Sequence, residues 1–352
     1  MRTVLCALRI AVIFMVCGCA RAQAPAEAFS IDNTRGIDER LYVDINGVAQ
    51  HVMIRGEDRD NPVLLYVHGG PGAAASLYAW KFFTRGGWER SFTVVNWDQQ
   101  GAGKTFGRAG NKIDPTLTIE RIADDGVAVA EAVARKLGKR KIILAGGSWG
   151  SVIGARMAKQ RPELFHAYVG NAHVVSPNDE VVAYQRVLDK ARDKGIAAAI
   201  TELEKSGPPP YKSPASFRAQ RKWAGIFEKH PPVDIQKEVA STPGTVPADL
   251  ATWWAGFLAS DAHFRGADMG GPAEKIDLTT WGPEFELPVI LIQGAEDDVT
   301  PTSEVRKYFE WIQAPKKQFL VIEGAGHNVV TSHPQEFGRL MVEHVRPLAM
   351  AD

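Results

Sequence analysis

Apolar residues in this chain fall into two kinds of run. Residues 41–54 alternate apolar and polar positions on either side of Asn46-Gly47, the pattern of two strands joined by a tight hairpin turn. Residues 62–67, 92–97 and 141–145 are instead almost continuously apolar, as strands covered on both faces must be. Between the last two, Ile122, Val127, Val129, Ala130 and Val133 predict a helix over 119–137, stopped by Gly138. Such strands alternating with helices predict an α/β architecture, a mostly parallel sheet wrapped by helices. The alternation pauses after about Asn171. Residues 174–285 read as helices and proline-rich turns, among them Gly207-Pro208-Pro209-Pro210 and His230-Pro231-Pro232. Strand patterns resume at 287–292 and 318–322, and a closing helix is expected over 334–345. The expected organisation is a sheet core from 40–173 and 286–352, with a helical cap, 174–285, inserted before the last two strands.

The start of the chain follows different rules. Arg2 and Arg9 precede an apolar run at 10–16, and small residues follow, the order of a secretory signal peptide over residues 1–24. Ala20-Arg21-Ala22 and Ala22-Gln23-Ala24 each offer a cleavage site, and 25–39 reads as a linker. The apolar run is shorter than the roughly 20 residues a membrane-spanning helix needs. Val16-Cys17-Gly18-Cys19 resembles a lipoprotein box, with an atypical cysteine before the glycine, so Cys19 is a candidate lipid anchor. The expectation is export, to a periplasmic or secreted location or to a membrane-anchored form. All three cysteines, Cys6, Cys17 and Cys19, lie in this leader, so a chain cut after Ala22 or Ala24 carries no thiol. The whole chain is formally neutral; without the leader's three arginines, 38 basic residues face 41 acidic ones, a charge of −3. That balance excludes a nucleic-acid partner, which demands a clear excess of Lys and Arg.

Three motifs carry candidate chemistry, each at the end of a predicted strand. Gly146-Gly147-Ser148-Trp149-Gly150 follows the 141–145 strand and opens a helix expected over 151–160. A tight strand-turn-helix with glycines on either side projects its serine above the sheet, where a base can reach it, which makes Ser148 the candidate nucleophile. Gly294-Ala295-Glu296-Asp297-Asp298 follows the strand ending near Gln293. An acid there would hold an imidazole in one tautomer. Spacing favours Asp297, with Asp298 as the runner-up. Gly324-Ala325-Gly326-His327 follows the last strand, and His327 is the candidate base, with His333 its nearest competitor. The turn His68-Gly69-Gly70-Pro71-Gly72 ends the 62–67 strand; the backbone N–H of Gly70, together with that of Trp149, is the candidate oxyanion hole, and His68 reads as a loop organiser. Asp98-Gln99-Gln100-Gly101-Ala102-Gly103-Lys104-Thr105 ends like a phosphate-binding loop. The P-loop glycine five residues before the Gly-Lys pair is replaced by Asp98, so the segment reads as a structural loop beside the site.

Together, His68-Gly-Gly-Pro-Gly72, Asp98-Gln-Gln-Gly101, Gly146-Gly-Ser-Trp-Gly150 and Gly324-Ala-Gly-His327 resemble the proline iminopeptidase (prolyl aminopeptidase) family from about residue 40 onward. The resemblance implies the α/β-hydrolase fold, whose chain order is Ser, Asp, His. It implies removal of an N-terminal residue from a small peptide through an acyl-enzyme, with no metal or cofactor, by Ser148, Asp297 and His327. The chain departs from the family pattern where the loop commonly carries an arginine and this sequence has Gln100. The family's lid also presents tryptophans and a glutamate that holds the substrate ammonium. Here Trp253-Trp254-Ala255-Gly256-Phe257 has no adjoining acid, and Glu202, Glu204 and Glu228 are lid acids of which most are expected to be solvated helix charges.

The expected function is an exported serine hydrolase cleaving amide bonds of small peptides or amino-acid amides. The alternatives are a carboxylesterase or lactonase using the same three residues, and a non-catalytic ligand-binding protein on the same scaffold. A carboxylate aimed at the acyl pocket favours peptides, and an all-apolar pocket favours esters. The expected partner is a small molecule or short peptide, with membrane contact only through a lipid anchor at Cys19.

Overall fold

Asn46 and Gly47 take φ values of 51° and 82°, the two positive angles that match a two-residue turn to the twist of its strands. They join β1 (Ile37–Ile45) to β2 (Val48–Gly56) in an antiparallel pair whose register closes at Ile45 and Val48. The computed structural model describes residues 30–230, 233–242 and 244–350. The signal-peptide reading, its cleavage sites, the three cysteines and the first residues of the linker lie outside the described residues.

β3 (Val63–Val67) follows, then short helices α1 (Trp80–Arg85) and α2 (Trp88–Ser91), and β4 (Thr93–Trp97). α3 (Gly103–Arg108) and α4 (Ile119–Lys136) lead to β5 (Ile142–Gly147), and α5 (Trp149–Gln160) leads to β6 (Phe165–Asn171). The eight strands lie in the order β1-β2-β4-β3-β5-β6-β7-β8, parallel from β4 onward. Every residue of β3, β4 and β5 is buried, as continuous apolar runs require. α4 starts where the Thr118 hydroxyl accepts the N–H of Arg121 at 3.1 Å, and its Ile122, Val129, Ala130 and Val133 face the core.

The chain leaves β3 towards β4 on one side and returns to β5 on the other. The loops after β3 and β5 therefore open side by side, at the switch point where sheets of this kind hold ligands. β6 is a strand that the hydrophobic pattern does not single out. His166, Gly170 and Asn171 interrupt its apolar residues, yet it pairs with both β5 and β7.

Between β6 and β7 (Val289–Gly294) lie α6 (Asn178–Asp193), α7 (Ala197–Ser206), α8 (Pro214–Phe227), α9 (Ile235–Ala240) and α10 (Pro247–Arg265). Tyr184, Val187, Leu188, Leu203, Phe217 and Trp223 give this insertion its own apolar cluster. α11 (Thr302–Trp311), β8 (Lys317–Ile322), α12 (Val329–Ser332) and α13 (Pro334–Leu340) complete the chain. The closing helix is shorter than expected, because a π-turn over Met341–Val345 replaces its second half. None of the helices among the described residues is long and apolar enough to cross a membrane.

One contact sets the position of the switch point. α5 begins at Trp149, two residues earlier than the sequence pattern predicts, and packs so closely on β3 that a Cβ added to Gly150 would lie 2.0 Å from the Val67 carbonyl oxygen. Gly150→Ala is expected to destabilise the fold by about 3 kcal/mol, the upper end of the overpacking range, because a central strand must move to admit the methyl. A lowered urea midpoint with unchanged slope would record it; a loss below about 1 kcal/mol would contradict the contact.

Candidate active site

The turn between β5 and α5 leaves Ser148 with φ 53° and ψ −124°, a conformation that non-glycine residues adopt only when their surroundings impose it. Its N–H donates to the Asn171 carbonyl at the end of β6, 3.0 Å away, and its carbonyl accepts from Ser151 N–H and hydroxyl at 2.8 and 2.6 Å. With both backbone groups held, the side chain points out over the strand ends. Its Oγ lies 3.1 Å from His327 Nε2.

His327 and Asp297 come from neighbouring loops, after β8 and β7. Those loops touch through backbone: Glu296 N–H donates to the Ala325 carbonyl at 2.9 Å, and a Cβ on Gly294 would meet the Gly326 carbonyl oxygen at 2.3 Å. The approach leaves Asp297 Oδ2 3.0 Å and Oδ1 3.2 Å from His327 Nδ1. Asp297 is fully buried, and its charge is held by the N–H groups of Val299 and Thr300 at 2.8 and 2.9 Å and by the Thr300 hydroxyl at 2.8 Å. Burial alone would raise this carboxyl; the His327 imidazole and these donors reverse the effect and hold it below the ordinary aspartate value. For His327, burial works against the charged imidazole, and the Asp297 charge and hydrogen bond outweigh it, so its pKa sits above the ordinary histidine value.

The structure separates the two aspartates. Asp298 is equally buried but turns away from His327 towards α6, where it meets Arg186 Nε at 3.0 Å and also pairs with Lys190. His333 instead precedes the first residue of α13 without a side-chain capping bond, its ring edge-on to His230 and its Nδ1 2.9 Å from the Ser332 hydroxyl.

Ser148, Trp149, Gly70 and His327 line one cavity of about 830 Å³, whose wall also takes in residues of α6, α8 and α10. Among the described residues, neither the N–H of Gly70 nor that of Trp149 meets a protein acceptor. For Trp149 this follows from its place at the first position of α5, where helix N–H groups lack partners. His68 lies beside them, fully buried, with a pKa lowered chiefly by burial. The loop after β4 is structural in the sense expected of it: Asp98 is buried against the Ser76 hydroxyl at 2.8 Å and His51 Nδ1 at 3.2 Å. Gln100, at the family's usual arginine position, donates to buried Asp125 at 2.6 Å.

The inserted helices depart from the expectation in two respects. Trp253 is buried with its indole on the Ala74 carbonyl at 2.9 Å and Trp254 is exposed, so of that aromatic run only Phe257 lines the cavity. Glu202 and Glu204 are surface charges paired with Lys222 and Arg192. Glu228 is not solvated in this way. It follows α8, lines the cavity and accepts the backbone N–H of His327 at 2.9 Å. Burial pushes its carboxyl above the ordinary glutamate value, against the pull of that N–H and of the imidazole. Its place one residue past the end of α8 is the only sequence signal that could have singled it out.

The other carboxylates on the cavity wall are Asp179, Glu180, Asp261 and Glu274. Glu180 pairs with Arg221, and Asp261 and Glu274 share Arg265. Asp179 has one oxygen on the N–H groups of Val175 and Ser176, and burial pushes it up to about 7. Glu228 and Asp179 are thus the wall carboxylates with no Lys or Arg partner among the described residues.

Residues 64–340 match the alpha/beta hydrolase family. The chain is 28% identical over 313 residues to the probable aminopeptidase YbaC of Bacillus subtilis (strain 168), covering 86% of this chain and 94% of that one. It is 26% identical over 302 residues to a probable proline iminopeptidase of Streptomyces coelicolor, covering 79% and 85%. Its fold is similar to the crystal structure of proline iminopeptidase from Mycobacterium smegmatis, with a TM-score of 0.61 at 18% identity, over 90% of this chain and 99% of that one.

The electrostatics of the pair can be read by NMR. The His327 ring is expected to titrate above the ordinary histidine value, and Asp297→Asn is expected to move the midpoint down, since burial then acts with less opposition. A midpoint that ignores Asp297→Asn would contradict the pairing.

Proposed function

Because the chain belongs to the alpha/beta hydrolase family, we propose that it is a serine hydrolase in which Ser148 attacks an acyl carbon, His327 takes and returns the proton, and Asp297 orients the imidazole. The observation that carries this reading is the unbroken hydrogen-bonded chain from Ser148 Oγ through His327 to buried Asp297. Attack of Oγ on the carbonyl passes its proton to Nε2 and places negative charge on the substrate oxygen, towards the N–H groups of Gly70 and Trp149. Collapse of that intermediate expels the amine or alcohol, which leaves with the proton from Nε2. Water then attacks the acyl-enzyme by the same route and frees the acid.

The wall of the cavity supports a substrate class. An acyl group bearing a free ammonium needs a carboxylate near the reacting carbon that no Lys or Arg already neutralises. Glu228 is such a group, beside the backbone of His327, and this supports short peptides or amino-acid amides as substrates. The names of the relatives point the same way. A carboxylesterase is the second reading, favoured by the apolar part of the wall, where Tyr66, Phe83, Phe257, Met269, Ile276 and Val330 gather. Export belongs to the same proposal and rests on the leader pattern at 1–24. The intact mass of the native product, starting at Gln23, Pro25 or a lipidated Cys19, tests it.

Purified protein is expected to hydrolyse prolyl or alanyl arylamides only when the amino group is free, and Ser148→Ala to lower kcat about 10⁴-fold or more. Glu228→Gln keeps an acceptor for His327 N–H and removes the charge. It is expected to lower kcat/KM on the free-amine substrates about tenfold to a hundredfold, the worth of one hydrogen bond to a charged group, and to leave p-nitrophenyl acetate within about threefold. Ester turnover without arylamide turnover would leave the carboxylesterase reading in place.

A further inference from the structure

Gln99, in the loop after β4, touches both sides of the oxyanion site without reaching the cavity. It is 1% exposed. Its side-chain Nε2 donates to the His68 carbonyl at 3.0 Å, and its Oε1 accepts the indole N–H of Trp149 at 3.1 Å. Its backbone N–H donates to His68 Nε2 at 3.2 Å.

The last of these bonds has a consequence for the next peptide. Because Nε2 accepts, the neutral ring carries its proton on Nδ1, and burial disfavours the doubly protonated form. Nδ1 therefore donates to the Gly69 carbonyl, 2.9 Å away. The Gly69–Gly70 peptide is trans, so its carbonyl and its N–H point in opposite directions. The imidazole, with the Ala73 N–H at 3.2 Å, anchors that carbonyl and so turns the Gly70 N–H the other way. Gly69 itself faces the nucleophile, since a Cβ there would lie 3.2 Å from Ser148 Cβ, and Gly70 lines the cavity. On the other side, the indole bond ties the first residue of α5, owner of the second free N–H, to the same Gln99.

We propose that Gln99 is the positioning residue of the oxyanion hole: its backbone N–H aims the Gly70 N–H through His68, and its side-chain amide, bonded to His68 and Trp149, fixes the separation of the Gly70 and Trp149 N–H groups. The inference rests on the acyl-transfer reading of Ser148. Its physical basis is that oxyanion donors act only when held in place before charge develops, so a small loss of registration weakens the transition state while the ground state is hardly affected. A residue that merely fills the core would affect stability, or both states alike.

Gln99→Met keeps the length of the side chain and the backbone N–H and removes both side-chain bonds. Trp149→Phe removes the indole donor and keeps an aromatic ring beside Phe264 and the backbone N–H. Both variants and their double mutant are compared with wild type for kcat, KM, melting temperature and inhibition by a trifluoromethyl ketone analogue of the best substrate, which Ser148 Oγ attacks to form a hemiketal anion that mimics the tetrahedral intermediate. Gln99→Met is expected to lower kcat about tenfold to a hundredfold, somewhat less than loss of a whole oxyanion donor, with KM within about threefold and the ketone weakened in step with kcat. Trp149→Phe is expected to show a smaller loss of the same kind. The double mutant is expected to match Gln99→Met, because both changes cut one shared bond.

Unchanged kcat in a folded Gln99→Met overturns the proposal, and so does a rise in KM with the ketone unaffected, or losses that multiply in the double mutant. Should Gln99→Met not fold, Trp149→Phe decides: a fall in kcat and ketone affinity at constant KM supports the positioning role, and wild-type values overturn it. Absence of turnover by wild type itself would instead sink the acyl-transfer reading, which separates the two failures.

Discussion

The backbone of α5 rests directly on the carbonyl of Val67, and the geometry of the cavity depends on that contact. No side chain intervenes at Gly150, so the helix that begins after Ser148 lies as close to β3 as atoms permit. Two features accompany it. The turn before the helix holds Ser148 at φ 53° and ψ −124°, and the loop after β3 lies against the first turn of the helix, where a Cβ on Gly150 would also meet the His68 carbonyl oxygen at 2.7 Å. The same device recurs at Gly294, where bare backbone lets the aspartate and histidine loops meet. Close backbone contacts resist deformation more than side-chain packing does, which suits a site whose parts come from four strand ends.

Around that frame the charges divide their work. Asp297 is buried and spends its oxygens on four donors, so that its charge is stable where water is excluded and available to the imidazole. Asp298, one residue on, faces the opposite way and ties the same loop to α6 through Arg186 and Lys190. Two adjacent carboxylates thus bind His327 and the inserted helices respectively. Glu228 completes the connection from the other direction, reaching from the end of α8 to the backbone of His327. The inserted helices are therefore bonded to the loops that carry His327 and Asp297, and their residues share the cavity wall with Ser148.

How much of this was legible in the sequence depends on how local each cause is. The hairpin at Asn46-Gly47, the buried strands and the turn around Ser148 declare themselves within a few residues, and the structure has them where the pattern puts them. β6 did not, because its burial comes from neighbours on both sides and not from an apolar run of its own. The rivalry between Asp297 and Asp298 had no local answer, since the side that each faces is set by Arg186 and Lys190, more than a hundred residues earlier. Trp253 and Trp254 misled for the same reason: an aromatic pair in an insertion does not announce which ring packs inward. Glu228 and Gln99 act through contacts with distant backbone, at His327 and His68, and residue type alone is silent about such partners.

The most direct test is covalent. Purified protein is treated with a fluorophosphonate, digested, and the modified peptide identified by mass spectrometry. One adduct is expected, on Ser148 within the peptide that joins β5 to α5, formed rapidly in wild type and absent after His327→Ala at the same exposure. Modification spread over several serines, or none at Ser148 in a folded protein, would contradict the claim that this serine is an activated nucleophile.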